Sequence, residues 1–398
     1  MAHYQITLDS EIVQGIFQRD GGLSKLVEQV LNQILEAQVG EQLQAEPYER
    51  TEKRQGYRNG YREREMVTRV GPITLDVPLV RNGTFSTDLF ARYQRSEQAL
   101  ILALMEMVVN GVSTRKVRRI TEDLCGVSFG KSTVSDLCRQ LDGVVQDWNG
   151  RRLEEKKFPF LIVDALVLKV RKEGQIRSQS ALLALGINED GYREILGLQL
   201  GDSESRDSWS TFFTWLKSRG LRGVDLVTSD DHAGLVQAIR EQFQNATWQR
   251  CQTHLTRNIL DACPKALQDS LHSRLRALFT APDPDTARSL LNGILTAFAD
   301  RAPQAMQRLE NGFDDAIAIL SYPEPYRKRL RTTNIVERLN EEIRRRERVI
   351  RIFPNGASVE RLLGALLMEQ HEIWSTGRKY FEMAAYWDWR RSQAVAAD

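Results

Sequence analysis

The sequence predicts an α/β core in which three sequential strands are followed by alternating helices and strands, in the order βββαβαβα. Three observations predict it. The runs FPFLIVDALVLKV (158–170) and SQSALLALGINEDGYREILGLQLG (178–201) are apolar and strand-like, the second folded about a tight turn at Asn188, Glu189, Asp190 and Gly191. From 209 to 263, helical and strand patterns alternate: WSTFFTWLKSRG, GVDLVTS, AGLVQAIREQF, ATWQRC and HLTRNILDAC. After Cys263 the strand signals stop and only helical patterns follow. Adjacency and handedness rules pack this order as an antiparallel meander joined to a parallel pair, with helices on the faces. That is the order of the ribonuclease H-like fold.

The elements before this core read differently. Residues 22–43 carry Leu23, Leu26, Val27, Val30, Leu31, Ile34, Leu35 and Val39 at helical spacing, a stripe that packs internally or pairs two subunits. Residues 50–64 (RTEKRQGYRNGYRER) are basic, with Arg54, Arg58 and Arg62 among interleaved tyrosines. Residues 66–85 alternate as strands do, with Gly71-Pro72 and Asn82-Gly83 as turn signals for a hairpin or meander. Residues 100–109 form an apolar helix. Residues 112–145 hold two short helices about a turn bracketed by Gly126 and Gly130. A helix-turn-helix fits this pattern, with 131–139 as its recognition helix, and Arg115, Arg118, Arg119 and Lys131 are its candidate DNA contacts. A helix pair of an all-α core fits as well.

Beyond the core, helical patterns at 264–321 break at Pro282-Asp283-Pro284 and at Pro303, and a long polar helix with TNIVERLNEEIRRR follows Pro325. Six regions result: a helical 1–50, a small β-rich basic 51–95, a helical 96–150, the core at 151–263, an all-helical insertion at 264–326, and a C-terminal part of the core with its tail at 327–398.

With 398 residues, 41% hydrophobic and 27% charged, the chain is a globular protein of two or three domains. No apolar run is long enough to span a bilayer, the start lacks signal-peptide features, and four scattered cysteines make no disulfide framework. A cytoplasmic location is expected. A net charge of +2 does not by itself single out a nucleic-acid binder. The distribution does more, because arginine outnumbers lysine in both basic segments (50–64 and 327–351), which suits bidentate phosphate contacts.

The chemistry lies in the acids. Asp164 sits in the middle of FLIVDALVL, where an unpaired buried carboxylate costs several kcal/mol. Asp230 ends the fourth strand, and in this strand order the two face one crevice. Ser229 or either of Asp230 and Asp231 also serves as a helix cap at that junction. Two close carboxylates repel, and a divalent cation with all-oxygen ligation, Mg²⁺ or Mn²⁺, resolves the conflict. Glu337 is the candidate third acid, sharing a helical face with Asn334 and Glu341. Arg338, Arg344, Arg345 and Arg348 are candidate contacts to the DNA backbone, and Glu341 and Glu342 their candidate ion-pair partners. Two metals held by Asp164, Asp230 and Glu337 would serve phosphodiester chemistry. Glu204 is a minor rival acid.

The stretches SDDHAGL (229–235), CQTH (251–254) and TNIVERLNEEIRRR (333–346), with RNGYRER and GVSTRKV upstream, resemble the bacterial mutator-type insertion-sequence transposases, relatives of the eukaryotic Mutator elements. The resemblance implies a DDE transposase on a ribonuclease H-like core with an all-helical insertion before the glutamate. It carries the catalytic acids onto Asp164, Asp230 and Glu337. Asp231 stands where the family has a small residue, which leaves open which neighbour ligates metal. The resemblance also implies excision through a circular double-stranded intermediate, terminal inverted repeats and target DNA as partners, and a bacterial, nucleoid-associated protein without a small-molecule cofactor. Cys251 and His254 recur beside the family's site, and there a structural or DNA-positioning role outweighs zinc, which needs four ligands. His232 would contact a phosphate or cap its helix. Trp209 is read as core. Self-association as a dimer or higher is expected, with 22–43 as the interface. The rival readings are a non-catalytic helix-turn-helix regulator and a structure-specific nuclease on the same core. Neither accounts at once for Asp164 and for two further basic regions.

Overall fold

The computed structural model describes residues 6–7, 22–81, 85–87, 89–90, 96–125 and 127–397, in two units, Met1–Arg139 and Gln140–Asp398. In the first unit, helix α1 (Gly22–Leu43) lies on a hairpin of β1 (Tyr57–Thr68) and β2 (Gly71–Arg81). Leu35 packs with Met66, Ile73, Leu75 and Val77, and Val27 and Leu31 close the margin. Polar side chains fix the seating. Glu28 Oε2 accepts from Thr74 N at 2.7 Å, and Asn32 Oδ1 accepts from Asp76 N at 2.9 Å. Residues one helical turn apart thus cap alternate N–H groups along the free edge of β2. Of the stripe, Val27, Leu31 and Leu35 pack inside this unit, while Leu23 is exposed.

The basic stretch at 57–65 is strand, where periodicity predicted strand only from 66. Its outer half is exposed on both sides, so no apolar alternation marks it. A register shift between Arg58 and Tyr61 falls at Gly60, whose φ of 82° favours glycine. The Asn82-Gly83 turn signal and Gly126 lie outside the described residues. Helices α2 (Gln98–Val109), α3 (Thr114–Cys125) and α4 (Lys131–Cys138) pack on one another, with Val117, Thr121 and Val134 turned inward.

The second unit begins with α5 (Leu141–Gly150), which packs on α14 (Gly356–Thr376) and on β5 (Arg193–Gly201). Gly364 permits this approach, since a Cβ there would lie 2.2 Å from Val145 Cγ1. Residues 141–150 thus belong with the second unit, which begins at Gln140.

Five strands follow the order β5-β4-β3-β6-β7, with β3 at Phe160–Lys172, β4 at Gln175–Ile187, β6 at Leu226–Ser229 and β7 at Thr247–Arg250. Pairings β3–β4 and β4–β5 are antiparallel, and β3–β6 and β6–β7 are parallel. Both faces are covered, which is why these strands read as continuous apolar runs. Phe160, Ile162 and Leu168 join one core with the helices after residue 252, while Leu161 and Val163 join another with Trp209, Phe212, Phe213, Val227 and Leu235. The second core is roofed by α6 (Arg206–Ser218) and α7 (Ala233–Gln242).

The helical region runs through α8 (Gln252–Asp261), α9 (Lys265–Phe279), α10 (Pro284–Phe298), α11 (Pro303–Ile317) and α12 (Glu324–Leu330). Its breaks have local causes. Asp283 accepts from Thr286 N at 2.8 Å as an N-cap, and Pro284 and Pro303 occupy first-turn positions. Helix α13 (Asn334–Ile350) carries the polar run, and the tail helix α15 (Ala384–Ala397) returns to the sheet. There Tyr386 meets Phe160 at 4.8 Å between ring centroids, beside Tyr326 and Phe381. Among the described residues no helix is long and apolar enough to cross a membrane.

Candidate active site

Strand register brings the first two acids together. Phe160–Leu226, Leu161–Val227 and Ile162–Thr228 are parallel partners, and two more residues along the same register reach Asp164 and Asp230. Asp164 shares the face of Ile162 and Leu168. Its Oδ1 accepts from Ala165 N at 2.9 Å and its Oδ2 from Asn340 Nδ2 at 2.8 Å. Burial, and then the charge of Asp230, push its carboxyl up to about 7. Asp230 Oδ1 accepts from His232 N at 3.3 Å, so its side chain turns back over the start of α7.

Glu337 reaches this pair through His254. His254 Nε2 lies 3.2 Å from Glu337 Oε1, and the charges of Asp230 and Asp164 act on the same imidazole. The Cys251 sulfur beside it, with Glu337 and Asp230 adding to the effect, raises His254 to about 8. The Cys-x-x-His spacing thus has a mechanical role. Cys251 N donates to Ser229 O at 2.7 Å, next to Asp230, while Cys251 Sγ accepts from Thr333 N at 3.4 Å and Thr333 Oγ1 at 3.3 Å. One residue on, Gln252 N donates to Arg331 O at 3.0 Å. The start of α8 therefore clasps the end of β6 to the start of α13. Cys251 and Cys263 are buried free thiols, and Cys138 is buried.

The other candidates separate by partner. Asp231 pairs with the mostly buried Arg250 at 2.8 Å, which takes its carboxylate away from Asp164. Glu204 belongs to the acid cluster: burial and then Asp230 raise its pKa, and His232 Nδ1 lies 3.9 Å from it. Gly234 makes that proximity possible, since a Cβ there would fall 2.6 Å from Arg206 N. Trp209 is fully buried and stacks on Phe213 at 5.5 Å, so it is core. Glu342 is taken up by Arg345 and Arg346, each at 2.8 Å, and Glu341 is exposed. Asn340 was missed in the sequence, although its position three residues after Glu337 puts both on one side of α13. Among the described residues no three His, Cys, Asp or Glu side chains already converge closely enough to hold a metal ion.

The basic candidates divide likewise. Arg58 is only 16% exposed, pairs with Glu36 at 3.1 Å and donates to Ala45 O at 2.9 Å, so its guanidinium is committed internally. Arg54 donates to Glu46 O at 3.2 Å and covers the Tyr57 ring. Arg62 is exposed. On α3, Arg115, Arg118 and Arg119 are exposed, the last two loosely paired with Glu122 and Asp123 at 3.6 and 3.8 Å. Lys131 opens α4. On α13, Arg338 and Arg348 are exposed, Arg344 pairs with Glu347 at 3.0 Å, and Arg345 with Glu342.

A mixed α/β core in which a mid-strand carboxyl is raised by burial and by the acid that follows the adjacent strand defines an enzyme-like site, and comparison with known proteins says of which kind. Residues 1–377 match the family model described as Transposase, Mutator family. The transposase for insertion sequence element IS256 in transposon Tn4001 of Staphylococcus aureus is 46% identical over 386 residues, 96% of this chain and 99% of that protein. The transposase for insertion sequence element ISRM5 of Rhizobium meliloti is 46% identical over 362 residues, 91% of each chain. That for IS1081 of Mycobacterium tuberculosis is 40% identical over 333 residues, 83% of this chain and 80% of that one. Among solved structures, the Drosophila P element transposase strand transfer complex is similar at 10% identity and a TM-score of 0.31, over 77% of this chain and 84% of that one, too faint a likeness to carry a fold assignment. The chain belongs to the Mutator family of transposases, and its function is DNA transposition.

Proposed function

We propose that this chain is a DDE transposase in which Asp164, Asp230 and Glu337 hold two divalent cations, Mg²⁺ or Mn²⁺, on a ribonuclease H-like core. The strand order, with two antiparallel pairings followed by two parallel ones, supports that core. The reading rests above all on Asp164, a carboxyl buried in mid-strand and raised to about 7 by its burial and by Asp230. The nearby His254 offsets its anionic form only in part, since the carboxyl stays at about 7, and an all-oxygen donor set of this kind fits a hard divalent cation. Cations bound there would supply an activated water or 3′-hydroxyl and neutralise the leaving oxygen of a phosphodiester. Asn340 steers Asp164, and His254 holds Glu337 at the edge of the pair. Closure of Glu337 onto the two aspartates completes the set. Arg338, Arg344, Arg345 and Arg348 lie along α13 to take backbone phosphates of the reacting strand. Arg62 on the hairpin, with Arg115, Arg118, Arg119 and Lys131 on the helix pair, bind the terminal inverted repeats. Two ends must be joined in one reaction, so the active species is a dimer or larger.

Asp164→Asn, Asp230→Asn and Glu337→Gln should each abolish Mg²⁺-dependent cleavage of terminal repeats while binding persists. Normal cleavage by all three variants would remove the assignment.

A further inference from the structure

A cleft of about 480 Å³ in the second unit is lined by Arg193 from β5, Lys328 and Arg329 from α12, Arg338 from α13, and Arg378 and Lys379. No acid lines it, and among the described residues none of these six cations takes part in an ion pair. Some surface arginines elsewhere in the unit pair with a carboxylate, as Arg206, Arg288 and Arg345 do. Two of the six lie on aromatic faces, and Arg329 also donates to Tyr380 O. The guanidinium of Arg193 lies 4.8 Å from the Tyr380 ring centre and 4.8 Å from that of Trp374, and Arg329 lies 4.6 Å from the same Tyr380 ring. Arg193 Nε is buried with no hydrogen-bond partner among the described residues. Two like charges thus flank one tyrosine ring beside the cleft, and guanidinium groups suit bidentate contact with phosphate.

The wall is built by the chain rather than by chance apposition. Gly191 O accepts from Tyr380 N at 2.8 Å and from Phe381 N at 3.2 Å, and Gly191 has φ 91°. A Cβ at that position would stand 1.9 Å from Phe381 O, so only glycine lets segment 380–381 lie against the β4–β5 turn. On α13, Asn334 and Arg338 face the cleft, while Asn340 bonds to Asp164 and Glu337 to His254. The cleft and the acids therefore share α13.

We propose that the cleft binds consecutive phosphates of the DNA strand held at Asp164, Asp230 and Glu337, without regard to sequence. The inference rests on those acids being the reaction centre. Guanidinium forks fixed on aromatic rings match phosphate oxygens, and phosphate contacts set register without reading bases. Asn334, the amide in the lining, has its Oδ1 engaged by Thr253 Oγ1 at 3.2 Å.

The test uses the full chain and the triple variant Lys328→Gln/Arg378→Gln/Lys379→Gln, all at exposed positions. Binding to an element-end duplex and to an unrelated duplex is measured by fluorescence anisotropy from about 50 to 200 mM salt. The variant should weaken both by the same factor and flatten the plot of log K against log salt by about 0.9 for each phosphate that is no longer neutralised. Unchanged affinity and slope on both duplexes, or a weakening confined to the element end, would overturn the proposal. Arg378→Gln alone should show the same pattern at smaller size, which guards against a folding defect in the triple variant. Failure of the metal-site reading is seen separately, as cleavage by the acid variants, whatever the salt slope does.

Discussion

Asn340 Nδ2 donates to Asp164 Oδ2 at 2.8 Å, so an amide rather than a carboxylate joins α13 to the buried aspartate. The bond leaves Oδ1 with Ala165 N and fixes the rotation of the carboxylate. Groups that orient a metal-binding carboxylate typically matter by 10–100-fold. Asn340→Ala should lower Mg²⁺-dependent cleavage by about that factor with unchanged DNA binding, measured in single turnovers. A rate equal to that of the native chain would show the bond to be incidental.

The raised carboxyl of Asp164 has a consequence for stability. Its folded pKa, about 7, lies above the usual carboxylate value, so the folded state holds the proton more tightly than the unfolded one. The stabilisation it contributes is therefore full below about pH 4 and is lost as pH rises through about 7. Asp164→Asn should melt higher than the native chain at about pH 8 and close to it at about pH 4, and added Mg²⁺ should narrow the gap at high pH. Parallel melting curves across that range would contradict the shift.

Cys251 offers a test of the clasp. Cys251→Val removes the acceptor of both Thr333 donors, an expected loss of about 1–3 kcal/mol, and loosens the start of α13. Cys251→Ser keeps an acceptor and should recover most of both stability and cleavage. If valine and serine behave alike in chemical denaturation and in cleavage, the sulfur is only filler.

Gly234 and Gly293 make a matched pair. Gly234→Ala puts a methyl 2.6 Å from Arg206 N and should cost about 1–3 kcal/mol while shifting Glu204 away from Asp230. Gly293, inside α10, has nothing within 4 Å of its added Cβ, so Gly293→Ala should stabilise by about 0.5–1 kcal/mol. The two melting temperatures should move in opposite directions.

What the sequence by itself determined was local. Apolar runs covered on both faces marked β3 to β7, prolines and caps marked the helix breaks at 282–284 and 303, and a lone aspartate in FLIVDALVL marked a buried charge in need of a partner. The parallel register that sets Asp164 beside Asp230 followed from strand order, because few packings of that order exist. Tertiary structure alone decided the rest. It turned Asp231 to Arg250, Arg58 to Glu36 and Val27, Leu31 and Leu35 to their own hairpin, and it assembled a cationic cleft from residues near 193, 328–338 and 378–380. Periodicity records which side of an element is buried but not what buries it. Side-chain partners distant in the chain depend on how whole elements seat against one another, and no short stretch of sequence carries that seating.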